Sequence, residues 1–147
     1  MTDINSSFVY VSYIRTTPEE LWAALTTPDF TKKFFFGMYF DTDWKAGAPW
    51  KLAFPDGRLA DSGEIVAFDP PRQIVMKWRN EQQPEITAEG YALCTMLLEP
   101  QGSAVKLTVS HVMERVGSKL IQGVSGGWPR ILSNLKSLLE TGAVVLT

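Results

Sequence analysis

One segment of this chain carries a long helical stripe of apolar residues, and it lies at the end. In "GGWPRILSNLKSLLETG", residues 126–142, the side chains Trp128, Ile131, Leu132, Leu135, Leu138 and Leu139 recur at helical spacing. Arg130, Ser133, Asn134, Lys136 and Ser137 fall opposite, and Gly142 is a C-terminal stop. A helix apolar on one face needs a second layer to bury it. Its entry through Gly126, Gly127, Trp128 and Pro129 leaves two readings. Either the helix starts at Pro129 with 118–125 as loop, or it starts near Ser118 and 126–129 form a hinge that lets 118–125 move as a lid.

What precedes the helix supplies that second layer. Residues 6–15, "SSFVYVSYIR", are β-branched and aromatic and read as a strand. "TTPEELWAAL" follows, with Thr17 as N-cap, Pro18 in the first turn and Glu20 closing a capping box. "TTPDFTKKFF" repeats the device with Thr27 and Pro28. Strand candidates then run over 38–42, 49–54, 62–68, 73–80, 87–99 and 104–113, separated by turns such as "FPDGR" and "DPPR". Ile74, Met76 and Trp78 share one face, as do Val105, Leu107, Val109 and His111. Short connections between successive strands favour an antiparallel sheet. No linker or repeat interrupts residues 1–147, which read as one α+β domain.

Composition narrows the function. Fourteen basic against sixteen acidic residues give a net charge of −2, with no basic patch to suggest nucleic acid. No apolar run reaches the length of a membrane span, and no leader peptide is expected, so a cytoplasmic setting is expected. One Cys and one His make a Cys/His metal site implausible, and no cofactor is expected. No phosphate loop, dinucleotide fingerprint or serine elbow appears, Ser125 included. Aromatic residues reach 12%, which requires a large core or a lined cavity.

Five stretches in register carry a resemblance: "TTPEELWAAL", "WKAG" at 44–47 with Trp50, "GEIVAFDPPRQIVMKW" at 63–78, "KLTVSH" at 106–111 and "GGWPRILSNLKSLLE" at 126–140. Together they resemble the SRPBCC (START-like, helix-grip) superfamily. Within it they are similar to the family named after the C-terminal domain of the activator of the heat-shock-protein-ninety ATPase. The resemblance implies a curved six- to seven-stranded antiparallel sheet around the C-terminal helix, two short helices after the first strand, and a deep apolar cavity. The large N-terminal domain of the eukaryotic co-chaperones has no counterpart in these residues.

Three readings of function follow. The first is binding or sequestration of a small apolar or aromatic molecule, without chemistry. Trp50, Trp78 and Met96 would line the cavity, with Trp128 and Leu132 on the helix side and His111 orienting the ligand. The second is a cyclase- or hydratase-type enzyme in which His111 or Tyr91 moves a proton. The third is a chaperone-binding module. For His111 the plainer alternative is a satisfied core histidine. A catalytic carboxylate pair of Asp61 and Glu64 is not expected, because Glu64 beside Ile65 points to solvent. Cys94 reads as a buried small apolar residue.

Overall fold

Alternation decides the first element. Phe8, Tyr10, Ser12 and Ile14 turn inward while Ser7, Val9, Val11 and Tyr13 face out, along β1 (Ser6–Ile14). A computed structural model describes residues 5–147; residues 1–4, at the opening where no leader is expected, lie outside them. α1 (Pro18–Thr26) is capped as its sequence predicts: Thr17 Oγ1 accepts the Glu20 N–H at 3.1 Å. The second half of the expected capping box is corrected, because the Glu20 carboxylate accepts from the Thr16 hydroxyl at 3.0 Å in place of the Thr17 N–H. α2 (Pro28–Phe34) corrects one expectation, because Thr27 makes no side-chain cap bond. That residue also ends α1, with its N–H given to Ala23 O at 2.9 Å, and Thr31 Oγ1 ties α2 back to Ala24 O at 2.7 Å.

Six further strands follow: β2 (Tyr39–Thr42), β3 (Pro49–Ala53), β4 (Leu59–Asp69), β5 (Gln73–Asn80), β6 (Ala92–Gln101) and β7 (Ala104–Met113). All pair antiparallel in the order β1-β7-β6-β5-β4-β3-β2, so β1 is the one strand placed out of chain order. Register shifts at Leu52/Ala53 and Ile65/Ala67 curve the sheet. The strand expected from residue 87 starts later. Asn80 Oδ1 accepts the N–H groups of Gln82 and Gln83 at 2.9 and 3.1 Å, which turns the chain into the short helix α3 (Pro84–Thr87). Gly90, at φ 88°, then carries the chain back into β6.

The last helix, α4, is continuous over Lys119–Thr141 with Pro129 inside it. The reading that left 118–125 as loop is therefore corrected. Ser118 is the N-cap, accepting the Ile121 N–H at 3.1 Å, and Gly142 is the left-handed stop. Leu120 and Ile121 are buried, so tertiary packing holds a first half whose glycines and proline would not hold it alone. Asn134 is a second correction. It is buried rather than solvated, and its Oδ1 accepts the N–H groups of Val145 and Leu146 at 3.0 and 2.7 Å.

Between helices and sheet lies a core in which all five tryptophans join one aromatic network. Trp22 meets Phe68, Phe68 meets Trp44, and Phe40 links Trp44, Trp50 and Trp78, with ring centroids 5.2 to 5.9 Å apart. Trp78 reaches Trp128 at 5.9 Å and Trp50 at 4.6 Å. Gly63 makes the Trp50–Trp78 approach possible. It pairs with both residues across the sheet, and a Cβ there would stand 1.7 Å from Lys77 O and 2.8 Å from Trp50 Nε1. In its absence the Trp50 indole lies across the strand and donates to Lys77 O at 3.0 Å.

Candidate functional site

A cavity of about 350 Å³ opens between the first half of α4, α3 with the loop before it, and the inner ends of β3, β4 and β5. Its helix side is Leu120, Gly123, Val124, Gly127, Trp128 and Ile131, one face of α4 at spacings of three and four. A Cβ on Gly123 or Gly127 would meet nothing within 4 Å, so two bare stretches of helix backbone look into open space. Trp78, Leu52, Phe54, Met38, Phe35 and Ile86 form the apolar walls, and Asp61, Asn80, Gln82, Gln83 and Lys119 add polar groups.

The polar corner follows from strand register. Leu52, Asp61 and Asn80 pair in one row across β3, β4 and β5. Asp61 has the same parity as Gly63 and the buried Ile65, so it turns inward, while Glu64 is exposed as expected. Asp61 Oδ1 is buried without a hydrogen bond, and so is Trp78 Nε1. Burial pushes the Asp61 carboxyl up to about 7. Among the smaller influences, Glu81 reinforces the rise, while Trp78 N–H and Gln82 oppose it. The indole N–H therefore stands near enough to be felt, but outside hydrogen-bond geometry. Glu81 itself is occupied, accepting from Ser62 Oγ at 2.7 Å and Arg79 Nε at 2.5 Å. Burial raises its carboxyl, and those two partners outweigh that and hold it below its usual range.

His111 sits behind this wall. It is fully buried in a row with Cys94 and Met76, and its Nε2 accepts the Trp128 indole N–H at 2.8 Å. That bond fixes the neutral tautomer with the proton on Nδ1, which has no partner. Burial lowers the imidazole pKa to about 4. Of the residues expected at a site, Trp78 and Trp128 line the cavity; Trp50, Met96 and Leu132 are core behind it, and His111 reaches it through Trp128 and Trp78, against whose rings it packs. Tyr91 is exposed on the outer side, and Cys94 is buried, its thiol driven above the ordinary range by burial. In the sequence Asp61 reads only as half of a discounted carboxylate pair, and the pairing of Gly127 with Gly123 on one face of α4 goes unmarked. Two-residue parity with Ile65 was the available signal for the first, and the four-residue spacing of Gly123 and Gly127 for the second.

Among the described residues, no group of three or more His, Cys, Asp or Glu could hold a metal ion, and no helix is long and apolar enough to cross a membrane. The curved antiparallel sheet around one long C-terminal helix defines a helix-grip protein of the SRPBCC superfamily. Residues 15–140 match the family described as Activator of Hsp90 ATPase homolog 1-like protein, and the chain belongs to that family. No curated protein matches the chain in sequence. Solved structures share the fold. Protein MLL2253 from Mesorhizobium loti is 23% identical, with TM-score 0.78 over 92% of this chain and 97% of that one. The HSP90 activator PFC0360w from Plasmodium falciparum is 23% identical, with TM-score 0.73 over 90% and 95%. CalU16 from Micromonospora echinospora is 20% identical, with TM-score 0.72 over 92% and 77%.

Proposed function

We propose that this protein binds or sequesters a small apolar or aromatic molecule in the cavity under α4, with no chemistry of its own. The observation that carries this reading is the pair of glycines, Gly123 and Gly127, that line the same cavity as Trp78 with nothing within 4 Å of where a Cβ would stand. Glycine in a helix interior costs about 0.5–1 kcal/mol relative to alanine, so keeping two there favours the space over the helix. A volume of about 350 Å³ is within the range of small-molecule pockets. The enzymatic alternative through His111 loses support from its environment. Burial holds the imidazole neutral at pH 7, and its one lone pair, on Nε2, is taken by the Trp128 N–H.

An environment-sensitive apolar dye should bind the native protein saturably. Gly123→Leu should fill the cavity and weaken the dye at least about tenfold, with the melting temperature unchanged or raised. A second reading, a module that docks on a chaperone ATPase, draws on the family and on the exposed apolar side chains Val9, Val11 and Tyr13 of β1 beside Val112 and Leu93. Dye affinity that ignores Gly123→Leu would sink the cavity reading. The place to look would then be β1, by titrating an Hsp90 ATPase against Val11→Lys.

A further inference from the structure

Asp61 Oδ1 and Trp78 Nε1 are both buried, and neither makes a hydrogen bond. The first accepts and the second can only donate. Unpartnered buried polar atoms are rare in native folds and call for a missing partner. The nearby acceptors that could serve the indole are already engaged. Glu81 is committed to Ser62 and Arg79, and Asn80 Oδ1 to the N–H groups of Gln82 and Gln83. Asp61 lies in β4 opposite Leu52 and Asn80, and the Trp78 ring is held by Trp50, Phe40 and Trp128 at 4.6 to 5.9 Å. Both lie on the cavity wall.

We propose that this corner anchors the hydroxyl group of a flat, otherwise apolar ligand, whose oxygen accepts from the Trp78 indole and whose proton is donated to Asp61. The proposal rests on the cavity reading above and names the ligand class it favours. One hydroxyl oxygen can serve both orphans, because the indole N–H is near enough to influence the carboxyl. Once Asp61 is ionised, above its raised pKa of about 7, an ether or ketone would satisfy Trp78 alone, and an ammonium Asp61 alone. A carboxylate would bring a like charge beside Asp61 and Glu81. The ring itself suits the aromatic walls of Trp78, Trp128 and Phe35 and the bare backbone of Gly127. The high pKa of Asp61, caused first by burial, is that of a carboxylate short of hydrogen bonds, and an O–H donor would lower it.

Three probes with a common ring separate this proposal from the broader one: 2-naphthol, 2-methoxynaphthalene and naphthalene, measured by isothermal titration calorimetry about one pH unit above the Asp61 pKa, where the carboxyl can only accept. The naphthol should bind the wild-type protein at least about tenfold more tightly than the other two. That preference should collapse in Asp61→Leu and persist in Glu64→Gln, whose carboxylate is exposed on the outer face. Equal binding of all three overturns the hydroxyl anchor and leaves the cavity reading standing. Binding of none overturns both. Should Asp61→Leu fail to fold, the wild-type ranking alone decides.

Discussion

Burial drives Asp61 and His111 in opposite directions, and the fold's response to pH follows. The Asp61 carboxyl is raised from 3.8 to about 7, so the native chain keeps a proton that the unfolded chain has released; stability from this group falls as pH rises from about 4 to 7. The His111 imidazole is lowered from 6.5 to about 4, so the unfolded chain takes up a proton that the native one refuses; stability from this group falls as pH drops from 6.5 to 4. Each slope is at most about 1.4 kcal/mol per pH unit, and the two oppose one another. Relative to wild type, Asp61→Asn should gain stability as pH rises through that window, and His111→Gln as it falls. Urea midpoints at several pH values check this, and the difference from wild type cancels the other carboxylates. Differences of the same sign for both variants would refute it. The inward turn of both side chains was legible from two-residue alternation. Their environments were not, because the Trp128–His111 bond joins a helix to a strand and the Asp61–Trp78 corner joins two strands through register.

α4 begins under a clamp that no local signal announces. The Glu89 carboxylate accepts from Ser118 Oγ at 2.6 Å and from the Lys119 N–H at 2.8 Å, against the positive end of a helix of 23 residues. Ser6 Oγ adds a tie by accepting the Ser118 N–H at 3.1 Å. Glu89→Ala should therefore cost about 1–2 kcal/mol, by the usual worth of a helix cap and its charge. Amide exchange should quicken in 119–124 while 131–139 stays protected. Uniform quickening along the helix would show that Glu89 is not a local clamp. The lid reading of 118–125 is tested on the same sample: a cavity probe should slow that segment's exchange. Local signals predicted α1 correctly, with its Thr-Pro-Glu start, because its cap lies within the helix's own sequence. They left α4's first half open between loop and a helix from Ser118, and they misplaced Asn134; the deciding partners are Glu89 and the tail at 145–146.

Across the whole molecule, the sequence made the order of elements and the antiparallel sheet readable, since strands β2 to β7 pair in chain order. Closure by β1 on β7 was hidden, because alternation marks a strand's faces but not its neighbour. The same closure brings α4 under β1, where Arg15 N–H donates to Glu140 at 2.9 Å. The aromatic network that fills the space between is the other property of the whole, since its tryptophans come from α1, the turn after β2, β3, β5 and α4. Indoles at these separations do not absorb independently. The Trp50–Trp78 pair, 4.6 Å apart and inclined at 54°, should give an exciton couplet in circular dichroism that Trp50→Phe removes; an unchanged couplet would mean that the pair is not formed in solution. Excitation on any indole can also pass along the chain of rings to whichever emits at lowest energy. A guest against Trp78 and Trp128 would then alter the glow of tryptophans it never touches, and the protein's own fluorescence would report whether the cavity is full.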